Sequence, residues 1–204
     1  MKIGGLLKFT LIDFPGRPAA VVFTQGCNFR CRYCHNPELV YPHMFAEPVS
    51  LESIYAFLKR RQGTLEGVVV SGGEPTLHEG LPSFMADLKA MGYAVKLDTN
   101  GTRPEVIRHL IENKLVDFIA MDLKAPLQKY SLITGVDFNP SILQESIRII
   151  KESGLPHEFR TTYDKEVLTD ADIAELAILT NGKNYRTQEC LPVAKEKASL
   201  RVLH

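Results

Sequence analysis

Three cysteines lie within eight residues of one another, as Cys27-x-x-x-Cys31-x-x-Cys34, and they are the residues of this chain best suited to chemistry. Thiolates on one short loop can bind three irons of a cubane iron–sulfur cluster, which leaves the fourth iron without a protein ligand. An iron with an open position can bind and reduce a ligand, whereas a fully coordinated cluster mainly transfers electrons. The spacing therefore predicts a catalytic [4Fe–4S] site.

A zinc site is the main alternative for these cysteines. Structural zinc is usually bound by two pairs of ligands. His35 directly follows Cys34 and is poorly placed to complete a tetrahedron with the same three cysteines, so Cys190 would have to be the fourth ligand. The spacing disfavours a non-catalytic iron–sulfur or zinc-binding module. Such a module is the alternative hypothesis in which the protein is not an enzyme.

Polar residues also stand at the ends of three further apolar segments, as Ser71-Gly72-Gly73-Glu74-Pro75, Leu97-Asp98-Thr99-Asn100-Gly101 and Asp122-Leu123-Lys124. Glycine pairs let a backbone approach a ligand closely, although Gly72-Gly73 and Asn100-Gly101 are equally compatible with simple turns. An ion pair of Lys124 with Asp98 or Asp122 is the structural alternative for the charged residues. These segments are candidate parts of a binding site.

Arg160 lies in the middle of the segment Glu158-Phe159-Arg160-Thr161-Thr162-Tyr163. If this segment is a strand, alternation puts Arg160 and Thr162 on one face and Phe159 and Thr161 on the other. An arginine within a buried sheet requires an anion, either a protein carboxylate or a ligand. We therefore expect a negative group next to Arg160.

The elements that must position these residues are short β-branched segments that alternate with amphipathic helical patterns. The predicted strands are Ala19–Thr24, Gly67–Val70, Tyr93–Leu97, Val116–Met121, Glu158–Tyr163 and Asn184–Gln188. Helical stripes are predicted from Leu51, Leu81, Pro104 and Ile142, and after a capping Thr169. Six βα units predict an α/β fold with a parallel sheet, either open or a partial barrel. In both, ligands bind at the carboxyl ends of the strands, which is where the polar segments fall.

The composition limits the remaining possibilities. A chain of 204 residues that is 45% hydrophobic and 24% charged predicts one domain, with a core at about 17–190 and a tail at 191–204. Zero formal net charge provides no broad attraction to nucleic acid or to a membrane. With no long apolar run and no signal-peptide pattern, we expect a cytoplasmic protein, in which closely spaced cysteines favour metal over disulfide.

Taken together, these residues resemble the radical S-adenosylmethionine (SAM) superfamily. Cys27-x3-Cys31-x-Tyr33-Cys34 is similar to its cluster motif, and Gly72-Gly73-Glu74-Pro75 is similar to its methionine-binding loop. Longer strings, at 12–16, 23–37, 97–101, 122–124 and 158–162, resemble glycyl-radical-enzyme activases. Among these the chain is most similar to the activating proteins of anaerobic ribonucleoside-triphosphate reductase, from about Gly4 to Leu168.

The resemblance implies a partial (β/α)6 barrel with a [4Fe–4S] cluster on Cys27, Cys31 and Cys34. It also implies SAM bound at the open iron, with a monovalent cation near its methionyl end. The implied cofactor-binding residues are Tyr33, Asn36, Gly72, Gly73, Glu74, Asp98, Thr99, Asp122, Lys124 and Arg160. Asp98, Thr99, Asp122 and the Ala120 carbonyl would be the cation ligands.

The implied activity is reductive cleavage of SAM to a 5′-deoxyadenosyl radical, which removes hydrogen from a glycine of the reductase. Reduced flavodoxin or ferredoxin would be the electron donor. Two alternatives within the superfamily stay open: an activase of another glycyl radical enzyme, and a small-molecule enzyme such as a 7-carboxy-7-deazaguanine synthase. Asp122-Leu123-Lys124 and Cys34-His35-Asn36-Pro37 favour an activase over the synthase.

Overall fold

One seven-stranded sheet runs through residues 1–182 and 184–190, the part of the chain that the computed structural model describes. In chain order the strands are β1 (Ile3–Thr10), β2 (Ala19–Thr24), β3 (Gly67–Gly72), β4 (Ala94–Thr99), β5 (Phe118–Asp122), β6 (His157–Tyr163) and β7 (Tyr185–Glu189). Their spatial order is the same as their chain order. The tail predicted at 191–204 lies outside the described residues.

The six predicted strands are present as β2 to β7, each with ends within two residues of the prediction, and all neighbouring pairs among them are parallel. β1 was not predicted. Its sequence contains Gly4 and Gly5 and lacks regular alternation, and it pairs antiparallel with β2. The ordered sheet therefore begins well before the predicted core boundary at residue 17. β1 and β7 are its two edges, as an open partial barrel requires.

Helices connect the parallel strands. They are α1 (Leu51–Arg61), α2 (Leu81–Ala90), α3 (Pro104–Glu112), α4 (Tyr130–Thr134), α5 (Ser141–Glu152) and α6 (Asp170–Leu179). The five predicted helices are confirmed, and Thr169 caps α6 as expected, in a capping box with Asp172. α4 is too short to have produced a periodic signal. Within the described residues, no helix is both long enough and apolar enough to span a bilayer.

The two faces of the sheet have separate apolar clusters. On β3, Val68 and Val70 belong to the large core that includes the apolar sides of the helices, whereas Val69 belongs to a small cluster on the opposite face. Successive strand residues point to opposite faces, which explains this division. We call the face with Val69 the inner face. Its polar residues lie toward the carboxyl ends of the strands.

Candidate active site

A pocket at the carboxyl ends of the strands is lined by the three cysteines and by all of the implied cofactor-binding residues, but not by Ala120, whose carbonyl the resemblance implied as a cation ligand. Its lining includes Cys27, Cys31, Tyr33, Cys34, Asn36, Gly72, Gly73, Glu74, Asp98, Thr99, Asp122, Lys124 and Arg160. Residues to which no ligand-binding role was assigned also line it, namely Phe29, His35, Val40, Ser71, Asn100, Thr162 and Gln188. The convergence follows from the parallel topology, because the segments after successive strands meet at one edge of the sheet.

The cysteine loop follows β2 and is held at several points. The Gly26 N–H donates to the Leu39 carbonyl at 2.7 Å, and the Arg30 N–H donates to the Thr134 carbonyl at the end of α4, also at 2.7 Å. Phe29 is buried, and its ring centroid lies 5.1 Å from that of Phe138. The loop is therefore anchored by backbone hydrogen bonds and by one aromatic side chain.

Burial controls the chemistry of the three thiols. It raises the pKa of Cys27 to about 12 and raises the pKa values of Cys31 and Cys34 above their usual range. The Phe29 N–H opposes this at Cys27, where it lies 3.3 Å from Sγ and stabilises the thiolate. The thiols are consequently protonated near neutral pH until a metal displaces the protons.

The arrangement of these thiols bears on the kind of metal group that they could hold. Throughout residues 1–182 and 184–190, no three His, Cys, Asp or Glu side chains are placed to bind one metal ion together. The thiols instead share a pocket wall, and backbone N–H groups lie close to sulfur. This donor set fits a cluster in which each thiol binds a different iron.

Gly72 and Gly73 permit a close approach, but to the protein's own backbone. A Cβ on Gly73 would lie 2.0 Å from the Gly26 carbonyl oxygen, and one on Gly72, whose φ is +122°, would lie 2.2 Å from the Thr24 nitrogen. Hydrogen bonds close this contact, with the Glu74 N–H donating to the Gly26 carbonyl at 2.8 Å. The glycines therefore bring the segment after β3 against the start of the cysteine loop.

The Glu74 side chain is buried and joins two strand ends. It accepts hydrogen bonds from the Thr76 hydroxyl at 2.5 Å, the Thr99 hydroxyl at 2.8 Å and the Asn100 N–H at 2.6 Å. Burial raises the pKa of Glu74, and these donors act in the opposite direction. Local sequence carries no signal for such distant partners, so this positioning role of the side chain was missed.

A second link joins the cysteine loop to the segment after β4. The Asn100 side-chain amide donates to Asn28 Oδ1 at 2.8 Å, and the Asn28 amide donates to the Thr102 hydroxyl at 2.9 Å. The sequence left open whether Asn100-Gly101 is a simple turn or part of the site. The place of Asn100 beside Gly101 is compatible with a turn, but its side chain also fixes the position of the loop that contains the thiols.

Charged residues alternate across the inner face at this end of the sheet. Lys124 Nζ lies 2.9 Å from Asp122 Oδ2, and Arg160 Nε lies 3.0 Å from Asp122 Oδ1. Burial alone would raise the pKa of Asp122, but the two cations hold it well below its usual range. The anion expected next to Arg160 is therefore a protein carboxylate. Lys124 pairs with Asp122, which decides between the two partners that the sequence allowed.

Asp98 has a partner that sequence reasoning missed. Lys96, two residues earlier on β4, is only 1% exposed, and its Nζ lies 2.7 Å from Asp98 Oδ1. Arg160 also reaches Asp98, with Nη2 3.5 Å from Oδ2. A lysine within the apolar segment 94–99 was the available signal, since a buried ammonium requires a carboxylate.

Tyr33 and Asn36 complete the cysteine side of the pocket. The Tyr33 hydroxyl is buried and has no hydrogen-bond partner among the described residues, and burial raises the pKa of this tyrosine. An unpaired buried hydroxyl is costly, so its presence in the pocket lining fits a site in which a ligand provides the partner. The Asn36 N–H lies close enough to Cys34 to favour its thiolate.

Comparison with known proteins gives this pocket a family context. Residues 21–182, most of the chain, match the family described as the radical SAM superfamily. The chain belongs to the radical SAM superfamily. Membership implies an enzyme that uses a [4Fe–4S] cluster and SAM, and the thiols and the charged groups of the pocket fit both.

Individual relatives fall into more than one functional group. A Methanocaldococcus jannaschii protein, provisionally named a glycyl-radical enzyme activating enzyme, is 35% identical over 184 residues, which cover 86% of this chain and 73% of the relative. A 7-carboxy-7-deazaguanine synthase of Thermococcus kodakarensis is 29% identical over 175 residues, covering 76% and 65%. The fold is similar to the solved structure of anSMEcpe with bound AdoMet, with a TM-score of 0.67 and 20% identity. That alignment covers 88% of this chain but about half, 53%, of the solved one.

Proposed function

We propose that this radical SAM enzyme activates a glycyl radical enzyme, and that the partner is an anaerobic ribonucleoside-triphosphate reductase. The observation that carries the proposal is the meeting of three half-buried thiols with Asp122 and Lys124 in one pocket at the strand ends. The activase strings in the sequence support the partner class. The Methanocaldococcus jannaschii relative, which is named as an activating enzyme, also supports this class. It is 35% identical over 184 residues, whereas the synthase is 29% identical over 175 residues.

The cysteines would hold the cluster in this function. When bound, the cluster and SAM supply a 5′-deoxyadenosyl radical, which takes a hydrogen atom from a glycine of the partner. The chain contributes placement: Cys27, Cys31 and Cys34 lie on a loop that is tied to Leu39 at Gly26 and to Thr134 at Arg30. A fixed loop keeps the reacting atoms in position, so the entropy of ordering the loop is not lost during the reaction itself.

Lys124 is the cation that we assign to the carboxylate of SAM. Asp122 holds its ammonium at 2.9 Å, and this carboxylate raises the pKa of Lys124 well above its usual value even though burial opposes the shift. Lys124 is therefore charged throughout the physiological pH range. Backbone groups of Gly72, Gly73 and Glu74 would meet the amino group of SAM, and Tyr33 and Asn36 would border its nucleoside.

The open edges of the sheet provide a path for a protein substrate. β1 and β7 are not paired with each other, so the described sheet does not close around the pocket. On β7, Gln188 lines the pocket and its amide donates to the Thr162 hydroxyl at 3.0 Å. A glycine-containing loop of a partner would enter beside this strand, and a closed barrel would prevent that approach.

The proposal is tested by anaerobic reconstitution of the full chain with iron and sulfide, followed by reduction with reduced flavodoxin or ferredoxin, the expected donors. SAM is added with an anaerobic ribonucleoside-triphosphate reductase, with another glycyl radical enzyme, or alone. We expect 5′-deoxyadenosine together with a glycyl EPR signal on the reductase. A reductase variant in which the radical-bearing glycine is alanine is the matched control, and it should show no glycyl signal.

The outcomes separate the alternatives. SAM cleavage with a glycyl signal only on the other enzyme would move the partner assignment to that enzyme. Cleavage with no glycyl signal on either would favour a small-molecule reaction, such as that of the 7-carboxy-7-deazaguanine synthases. No SAM cleavage by a chain with full iron content would contradict the proposal.

A further inference from the structure

Arg160 lies between the two carboxylates that the sequence resemblance assigned to a monovalent cation. Its Nε is 3.0 Å from Asp122 Oδ1, and its Nη2 is 3.5 Å from Asp98 Oδ2. We propose that this guanidinium takes the place of the cation, so that the chain binds SAM without one. The inference rests on the SAM chemistry of the proposed function, but it does not depend on which partner is activated.

Strand register explains how one arginine reaches both carboxylates. β4, β5 and β6 are adjacent, with Asp98 beside Ala120 and Asp122 beside Arg160. All four side chains point to the inner face, because they lie on parallel strands at matching positions. Between Asp98 and Glu158 the register places Ala120, whose side chain is only a methyl group, and the guanidinium reaches Asp98 across β5. A larger residue at position 120 would fill the path.

The oxygens that would bind a cation are already engaged. Asp98 Oδ1 lies 2.7 Å from Lys96 Nζ, and Oδ2 accepts a hydrogen bond from the Ser71 hydroxyl at 3.2 Å in addition to facing Arg160. Asp122 faces Arg160 with one oxygen and Lys124 with the other. Each carboxylate oxygen thus has a donor, and a bare cation would have to displace at least one of them.

Thr99 is also committed to another partner. Its hydroxyl donates to Glu74 Oε1 at 2.8 Å and accepts from the Gly101 N–H at 3.1 Å. Both bonds are buried, and they fix the loop between β4 and α3. One lone pair of this hydroxyl is left for an ion, and any rotation needed to aim it would leave Glu74 without one of its donors, which is costly for a buried carboxylate.

Among the pocket-side residues joined by ion pairs, charge is balanced without an added ion. Lys96, Lys124 and Arg160 face the three carboxylates of Asp98, Asp122 and Glu158; Glu158 also pairs with the solvent-exposed Arg186. A further cation would be close to three existing ones, and such like-charge contacts are unfavourable at a partly buried site. Burial opposes the charged form of Arg160, but Asp122, Asp98 and Glu158 raise its pKa. The guanidinium is therefore a permanent positive charge.

The test measures SAM affinity of the reconstituted chain in sodium, potassium or choline chloride at equal ionic strength. The wild type is expected to bind SAM with less than about a twofold spread across the three salts, since its positive charge is built in. Arg160→Gln vacates the space between the carboxylates. We expect it to lose about tenfold in affinity in choline and to recover part of the loss in potassium or sodium.

Two further variants and a second readout make the result specific. Arg160→Lys keeps a positive charge and should stay indifferent to the salt, and so should the matched control Arg108→Gln, which removes an arginine paired with Glu145 outside the pocket lining. Thermal unfolding of the cluster-free chain should shift with the cation in Arg160→Gln alone. A wild type that binds SAM at least about tenfold better in potassium or sodium than in choline would overturn the inference. That result would leave the activase proposal standing, because glycyl radical formation is measured separately.

Discussion

The inner face of the sheet has two ends with opposite chemistry. At the amino ends of the strands, Phe14 closes the face over Val21 and Val69, and its ring lies 6.1 Å from that of Phe118. At the carboxyl ends, the same face is occupied by ion pairs and hydroxyl groups around the pocket. One end is closed by packing, and the other is held by groups that can also pair with a ligand.

The amino end of the sheet therefore contributes mainly to stability, and the carboxyl end mainly to binding. Apolar contacts at the amino end stabilise the fold simply by leaving water, and they need no particular partner. Charged groups at the carboxyl end lose hydration, and their mutual attraction offsets that loss only in part. We therefore expect substitutions at the first end to change the free energy of unfolding, and substitutions at the second to change ligand affinity.

The largest effect is expected at the cysteine loop. Cys27→Ala, Cys31→Ala and Cys34→Ala should each abolish stable cluster binding. The iron content after anaerobic reconstitution should fall from about four atoms per chain to a small fraction of that number. Iron analysis and visible absorption provide the measurement. Cys190→Ala is the matched control, because Cys190 follows β7 and is not among the residues that line the pocket. Zinc retained by the wild type and lost in Cys190→Ala would revive the zinc module.

Phe14→Ala tests the apolar end. Phe14 is 3% exposed and packs directly over Gly67, where a Cβ would come within 2.6 Å of its ring. Removal of this ring is expected to lower the free energy of unfolding by about 3–5 kcal/mol, measured by urea denaturation of the cluster-free chain.

Phe14→Ala should leave ligand binding at the opposite end of the sheet unchanged. SAM affinity of the reconstituted variant should stay within about twofold of the wild type. Phe9→Ala, at a residue of β1 that is 49% exposed, is the control and should cost less than about 1 kcal/mol. An equal loss of stability in both variants would show that the inner cluster is no better packed than the surface.

Lys124→Gln tests the charged end. It removes the ammonium assigned to the SAM carboxylate but leaves Asp122 paired with Arg160. We expect SAM affinity to fall about tenfold, or about 1.4 kcal/mol, while the free energy of unfolding changes by less. Lys89→Gln removes a comparable ion pair, 2.6 Å from Asp117, away from the pocket. A similar loss of SAM affinity in Lys89→Gln would contradict the assignment.

The sequence predicted the pocket well because the relevant signals are local. Each of β2 to β5 is a short, mainly apolar segment followed by polar residues, and parallel topology brings those residues to one edge. The thiols needed only their spacing to be recognised. β1 was missed because Gly4 and Gly5 interrupt its pattern, and α4 because five residues show no helical period.

Pairing between distant residues could not be read in the same way. Lys124 had two candidate carboxylates, and only the register of β4, β5 and β6 places Arg160 against Asp98. The link from Glu74 to Thr99 spans two strand ends for the same reason. Local sequence indicates that a buried charge must have a partner, but the partner is decided by the strand order.

Asp172→Asn tests a charge that lies near the carboxyl ends but outside the pocket lining, and its expected effect is the smallest. Asp172 Oδ2 lies 2.7 Å from Lys129 Nζ and accepts the Thr169 N–H at 2.7 Å. The hydrogen bond from Lys129, with those from Thr169, lowers the pKa of Asp172 to about 2. The substitution should lower the free energy of unfolding by about 1 kcal/mol near neutral pH and leave SAM affinity unchanged.

The pH dependence makes this last prediction specific. Because the folded pKa of Asp172 is below the unfolded value of about 3.9, its contribution is complete above that value and is lost as the pH falls toward about 2. The stability difference between wild type and Asp172→Asn, measured by urea denaturation, should therefore shrink below about pH 4. Glu175→Gln, at an exposed position of α6, is the control and should show no such trend. A difference that stays constant across this range would mean that the helix cap of α6 works without the charge. A loss of SAM affinity in Asp172→Asn would instead extend the binding role of the carboxyl end beyond the pocket.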